Sequence, residues 1–214
     1  MADKAQIAVP LERIKTWAKI NAPGVSFNPP ADPALIENFA QKCGLSLPEE
    51  FSQYLRIING ETRKSAGMIG NWRLLPILEI QGAWGLLESL HARGAFADLE
   101  PQASPYLHSA WWHPGWIPIV SNDDENFICL DCSPPEPTRY GQVVLFMKNR
   151  PERPLIAAGL SAWFDRIARD LEAGVYSYDD EEGFNGEALM WSSLESKHLF
   201  DQADGQLIAS RKIC

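Results

Sequence analysis

Few cysteines, no long apolar run and a deficit of positive charge bound what this 214-residue chain can be. The four cysteines, at positions 43, 129, 132 and 214, show no framework spacing for a small secreted domain, which agrees with a reducing compartment. No run approaches the roughly 20 apolar residues of a membrane-spanning helix. Residues 1–6 are polar, and the apolar residues after them recur at helical spacing rather than in the block of a signal peptide. The expectation is a soluble, cytoplasmic protein. Lys and Arg number 19 against 28 Asp and Glu, a formal net charge of −9. Such a surface repels phosphate backbones, so nucleic acid is excluded as a natural partner and a basic protein is favoured. A Gly-rich phosphate cradle, a metalloprotease helix and a dinucleotide fingerprint are absent too, and no cofactor is expected.

What is present is a large apolar complement: 45 % hydrophobic residues, with eight Trp, enough for a sizeable core. There are no internal repeats and no low-complexity linker, so residues 1–214 read as a single domain. Charge is uneven along it. Residues 175–214 carry eight acidic and three basic residues, an acidic C-terminal extension of charge −5.

Helical spacing and stop signals place three short helices first. Leu11, Ile14, Trp17 and Ala18 share a face from near Pro10 to Pro23-Gly24. Asp32 is a natural N-cap with Pro33 after it, and Gly44 closes the stripe of Leu35, Ile36, Phe39, Ala40 and Cys43. Ser46-Leu47-Pro48-Glu49 reads as a capping box for a helix through Phe51, Tyr54, Leu55 and Ile58, stopped by Asn59-Gly60. A short strand within residues 72–78 precedes a helix through Ile80, Ala83, Trp84, Leu87 and Leu90. Residues 96–114 are loop-like.

Residues 116–120 and 127–131 are β-prone apolar runs around the polar turn Ser121-Asn122-Asp123-Asp124-Glu125-Asn126, and Pro134-Pro135 stops the second. They predict an antiparallel hairpin, which residues 142–147 extend after Gly141. Residues 155–158 form a brief strand. Trp163, Phe164, Ile167, Ala168 and Leu171 mark an amphipathic helix, capped by Ser161 and ended by Gly174. Residues 188–200 are read as one more helix. The fold class is α+β, a largely antiparallel sheet with helices packed against it.

Several constellations invite chemistry. His108, His113, Cys129 and Cys132 are zinc-type ligands. However, residues three apart on a regular strand point to opposite faces, so Cys129 reads as a small core hydrophobe and no metal site is expected. Gly159-Leu160-Ser161 lies between a strand and a helix, the context of a hydrolase nucleophile elbow. Trp163 replaces the second glycine, and the only downstream histidine is His198. Asn122, Asp124 and Asn126 alternate as calcium-loop ligands do, but Phe127 stands where glycine is needed and Ser133 where the bidentate glutamate is needed.

The order of landmarks resembles the SUKH superfamily, in particular the domain of the Smi/Knr-type yeast cell-wall-assembly regulators. They are Ile36, Phe39 and Gly44; Leu47-Pro48-Glu49; Asn59-Gly60; Leu75-Pro76; Gly115-Trp116-Ile117-Pro118; Phe127-Ile128-Cys129-Leu130-Asp131; Gly141-Gln142-Val143-Val144; and Ser161-Ala162-Trp163-Phe164. The similarity spans residues 10–174 as a SUKH-like core and leaves the tail outside. One departure is visible: relatives usually carry glycines in the hairpin turn, where this chain has Asn122-Asp123-Asp124-Glu125-Asn126.

The resemblance implies a non-enzymatic protein-interaction module. Its leading form is an immunity protein that neutralises a toxin, often a nuclease, whose basic active face an acidic inhibitor meets by steered association. The alternative is a regulatory scaffold of the cell-wall-regulator type, and a serine hydrolase built on Ser161 ranks behind both. The candidate partner-binding residues are the turn acids Asp123, Asp124 and Glu125, the acidic run Asp179, Asp180, Glu181 and Glu182, and Trp111 or Trp112 as an exposed aromatic anchor.

Overall fold

Periodicity and capping place the helices of the computed structural model where the sequence predicts them. It describes residues 7–69, 72–122 and 125–174 in full, and the backbone alone of Tyr176–Asp179 and Ala188–Trp191. Helix α1 (Ala8–Asn21) buries Leu11, Ile14 and Ala18 and admits Pro10 in its first turn, where the missing N–H is harmless. In α2 (Pro33–Cys43), the Asp32 carboxylate accepts the Ala34 N–H at 2.9 Å, and Gly44 closes the helix at φ +67°. Helix α3 (Glu49–Ile57) buries Phe51, Tyr54 and Leu55.

The expected capping box at α3 does not form. Pro48 takes the cap position without any side-chain bond, leaving Ser46 too far upstream for its hydroxyl to reach the first-turn amides. The Ser46 carbonyl instead accepts the Tyr140 hydroxyl.

Strand β1 (Arg73–Leu74) leads into α4 (Ile77–Ala92), whose first amide, that of Ile77, donates to the Asn59 side-chain oxygen at 2.8 Å. Asn59-Gly60 is therefore more than a stop signal. Gly60 lies at φ +66°, and a Cβ there would stand 2.5 Å from the Leu75 carbonyl carbon. Its own carbonyl accepts the Asn28 N–H at 2.9 Å. The pair ties the N-terminal helices to the entry of α4.

Strands β3 (Trp116–Ser121) and β4 (Phe127–Asp131) form the predicted antiparallel hairpin, with Trp116 opposite Asp131 and Ser121 opposite Phe127. Strand β5 (Gln142–Phe146) pairs antiparallel with β4, and β7 (Leu155–Ala157) with β5. The sheet order is β1-β3-β4-β5-β7. All residues of β4 and β5, and all of β3 but Ser121, are buried, so both faces of the central strands are covered. Two of these buried residues are polar and bond to each other: the Gln142 amide N–H group donates to Asp131 at 2.9 Å and to the Tyr106 carbonyl at 3.0 Å, while the Gln142 side-chain oxygen has no partner among the described residues. A small parallel ladder joins β2 (Gln102–Ala103) to β6 (Glu152–Arg153).

Helix α5 (Leu160–Glu172) buries Trp163, Phe164, Ile167 and Leu171 and packs against α1, β5 and β7. Arg13 of α1 crosses to Asp165 and Glu172 of α5 at 2.9 and 2.6 Å. Ser161 is not its cap. It is the second helical residue, the cap position belongs to Gly159, and the Glu50 carboxylate of α3 accepts the Ser161 N–H at 3.1 Å.

The helix expected over residues 188–200 is corrected in its first turn. Ala188–Trp191 is a strand, β9, antiparallel to β8 (Tyr176–Asp179). A brief apolar run does not separate strand from helix by periodicity, and an available pairing edge decides it. Residues 192–200 lie outside the described residues.

Candidate partner-binding surface

The sequence places its candidate residues in three regions, of which the structure describes Glu125, Trp111, Trp112 and the backbone of Asp179. In the hairpin turn, Asp123 and Asp124 lie outside the described residues. Glu125 is exposed, sits at φ +59° and pairs with Lys148 of the same chain. The Asn122 side chain accepts the Asn126 N–H at 3.1 Å, and the Asn126 side chain accepts the Lys148 N–H at 2.9 Å. Both asparagines thus fix the turn. Lys148 of the same chain thus supplies a cation to Glu125. In the tail, Asp179 ends β8, while Asp180, Glu181 and Glu182 lie outside the described residues.

The tryptophan pair is not on a strand. Residues 109–112 form bends, so alternation between two faces does not apply to them. Trp112 is 1 % exposed, which removes it as the exposed anchor. Trp111 is half-buried and keeps a face toward a pocket of about 290 Å³.

That pocket lies beyond the C-terminal end of α4. His91, Gly94, Phe96, Ala97, Leu99 and Pro101 form one side, and Ser109, Ala110, Trp111 and Trp112 the other. Strand β6 holds both sides. Gln102, next to Pro101, donates its N–H to the Pro151 carbonyl at 2.7 Å and pairs with Glu152. Arg153, 1 % exposed, donates from Nε to the Trp111 carbonyl at 2.7 Å, and its guanidinium lies 4.6 Å from the Trp111 ring and 4.7 Å from that of Phe146. Two further bonds, to the Arg150 and Glu152 carbonyls, hold it in place, and burial pulls its pKa down to about 10. Consecutive turns, Ala97 N–H to Gly94 and Leu99 N–H to Phe96, brace the loop itself. The walls are fixed before any partner arrives.

Sequence reasoning missed this loop. The signal was there: Ala97, Leu99 and Pro101 alternate with Asp98 and Glu100, apolar and acidic residues in turn. In a segment read as loop, that alternation was not used.

A second cleft, about 510 Å³, lies between the N-terminal ends of α2 and α4. Its polar groups are engaged within the fold. Asn28 donates to the Asn59 and Glu61 carbonyls, Asn59 holds Ile77, and Glu79 pairs with Arg63 and Arg73. Glu61 on its wall is fully buried, accepting from Ser65 and from the Leu74 N–H, and burial pushes its pKa up to about 7.

Neither the catalytic nor the metal constellation is assembled among the described residues. The Ser161 hydroxyl is buried with no partner among the described residues, and His198 lies outside them. His108 and His113 stack face to face, centroids 4.2 Å apart, instead of converging on one point. His108 Nε2 meets the Ser133 carbonyl at 2.7 Å, and His113 Nδ1 accepts the Gly115 N–H at 3.0 Å. Cys129 is fully buried in the core, and burial pushes its thiol up, as it does that of Cys132. Among the described residues no group of three or more His, Cys, Asp and Glu is placed to hold a metal ion. Nor is any helix long and apolar enough to cross a membrane.

Comparison with known proteins follows the same landmarks. The chain is 24 % identical over 161 residues to the cell wall biosynthesis/cell cycle regulator smi1 of Schizosaccharomyces pombe, covering 69 % of this chain and 32 % of that protein. It is 22 % identical over 216 aligned residues to the glucan synthesis regulatory protein of Neurospora crassa, covering 82 % of this chain and 40 % of that one. A KNR4/SMI1 homolog of Debaryomyces hansenii is 32 % identical over 89 residues, 41 % of this chain and 20 % of its own length. The chain thus spans between a fifth and two-fifths of the length of these relatives. The sequence profile of the SMI1 / KNR4 family (SUKH-1) matches residues 30–166, from the approach to α2 through the middle of α5, and the chain belongs to that family.

Proposed function

We propose that this chain is a non-enzymatic protein-binding module that acts as a regulator. The observation carrying this reading is the family match over residues 30–166, which takes in α2, α3, α4 and the whole five-stranded sheet. The relatives cited carry regulatory names, for cell wall biosynthesis and for glucan synthesis. Chemistry by side chains is disfavoured because the groups that would perform it are buried, stacked or bonded within the fold. Binding is favoured because one pocket lined by Phe96, Leu99, Pro101 and Trp111 is braced by hydrogen bonds and lies open at the surface.

Deleting the gene tests this. Under the regulatory reading, growth or envelope properties change without any challenge, and the full chain restores them. The immunity reading rests on the SUKH resemblance and on the net charge of −9, which suits a basic toxin face. It requires a deletion that is silent until a toxin from a neighbouring frame is expressed. The named relatives favour the regulatory form over the immunity form that leads from the sequence.

A further inference from the structure

We propose that the pocket between the 94–101 loop and Trp111 seats one bulky apolar side chain of a protein partner, in a segment whose neighbouring residues are Lys or Arg. This deepens the protein-binding reading and rests on it. Three observations meet here. The first is size: about 290 Å³ lies at the lower edge of the roughly 300–1,000 Å³ of small-molecule pockets, room for a single anchoring side chain.

The second is the wall. Phe96, Leu99, Pro101 and Trp111 offer aromatic and aliphatic surface, and Leu99 remains 41 % exposed. Strand β6 fixes both sides through the β2 pairing and through Arg153, so little ordering entropy opposes binding.

The third is charge. Along the loop, Ala97, Leu99 and Pro101 line the pocket, whereas Asp98 and Glu100 between them do not and are exposed. The anchor site thus carries acids along its edge, on a chain of net charge −9. Arg93, exposed beside the loop, is turned back to the Ser89 carbonyl, to which its Nε donates at 3.0 Å, and Arg153 is buried against the Trp111 ring. A segment with basic residues flanking an apolar anchor matches this pattern, and an acidic segment is repelled by it.

Random dodecapeptides displayed on phage, panned against the full chain, test the proposal. The enriched peptides are expected to share a Phe, Trp, Leu or Met with Lys or Arg nearby. Their affinity is expected to fall roughly tenfold or more for Leu99→Ser, and similarly for the rim variant Asp98→Lys/Glu100→Lys, with unchanged thermal midpoints. Both variants alter exposed side chains, so folding is preserved; Ala97→Gln, which fills the pocket from an exposed position, is the second obstruction. Enrichment of acidic or anchor-free peptides, no enrichment at all, or binding indifferent to all three variants would overturn it. So would sedimentation showing a dimer that Leu99→Ser dissolves, because a second copy would then be the occupant. If deletion of the gene has a regulatory phenotype that Leu99→Ser still restores, the pocket fails while the regulatory reading stands.

Discussion

Glu61, fully buried, and His113, half-buried, are two titratable groups whose pH effects oppose each other. Burial raises Glu61 from an ordinary 4.5 to about 7, so between those values the folded state holds more proton than the unfolded one. That contribution to stability is greatest below pH 4.5 and is lost as pH rises toward 7, by an amount on the order of 3 kcal/mol. Burial, helped by His108 and His91, lowers His113 from 6.5 to about 4. Here the unfolded state holds more proton, so stability is gained as pH rises from 4 to 6.5. Across pH 4.5–6.5 the wild-type thermal midpoint should therefore change little. Glu61→Gln, which keeps an acceptor for the Leu74 N–H, should leave the His113 slope exposed, so that the midpoint climbs with pH. A midpoint of this variant that stays flat over the window would mean that His113 contributes no slope there, and a wild-type midpoint that climbs as the variant's does would mean that Glu61 does not titrate there.

Glu125 shows what the missing turn glycine costs. A non-glycine residue at φ +59° is strained, and its pairing with Lys148 is exposed on both sides. Glu125→Gly should raise stability by about 0.5–1 kcal/mol in urea unfolding, because relief of the left-handed backbone outweighs loss of a solvated ion pair. A loss of stability would show that Lys148 needs Glu125 more than the backbone resents it.

At the scale of elements, the start of α5 separates a local cap from a tertiary one. Sequence places Ser161 at the cap because serine between a strand and an apolar helical stripe usually sits there. The helix begins two residues earlier than that, with Gly159 at the cap, and a carboxylate from α3 satisfies the Ser161 amide instead. Glu50→Ala should cost about 0.5–2 kcal/mol. Ser161→Ala should be near neutral, since it removes a buried hydroxyl that makes no bond. Equal losses for the two variants, measured by denaturant midpoint at constant slope, would restore Ser161 to the cap. The capping box before α3 fails for a related reason: Pro48 occupies the cap, and only the path of the chain past Tyr140 shows where Ser46 goes.

For the whole molecule, charge and binding meet. Net charge of −9 steers basic partners at long range, and salt screens that steering within about 8–10 Å. Replacing Asp123, Asp124 and Glu125 with Ser should slow association with a basic partner and flatten its salt dependence, with thermal stability nearly unchanged. Lys148 already neutralises Glu125, so the larger share of the effect is expected from the other two acids. Association rates of the triple variant that match the wild type across 50–300 mM salt would leave the turn an ordinary solvated loop; that range brackets about one Debye length at the protein surface.

Helices α2 and α5, the β3–β4–β5 meander and the closing glycines were all determined by sequence alone, since 3.6-residue stripes, apolar β-prone runs and stop residues act over neighbouring positions. So were the family landmarks, which prove to be structural: Asn59 and Gly60 hold the start of α4, and Gln142 donates to Asp131 inside the sheet. Tertiary structure alone decided which face of the Trp111-Trp112 pair is available, because a bend, not a strand, carries it. It alone made residues 94–101 a pocket wall, because the forces that hold that loop come from β6, some fifty positions away, where Arg153 and the β2 pairing close the site. Local patterns report on neighbours in sequence, and a binding surface is built from neighbours in space.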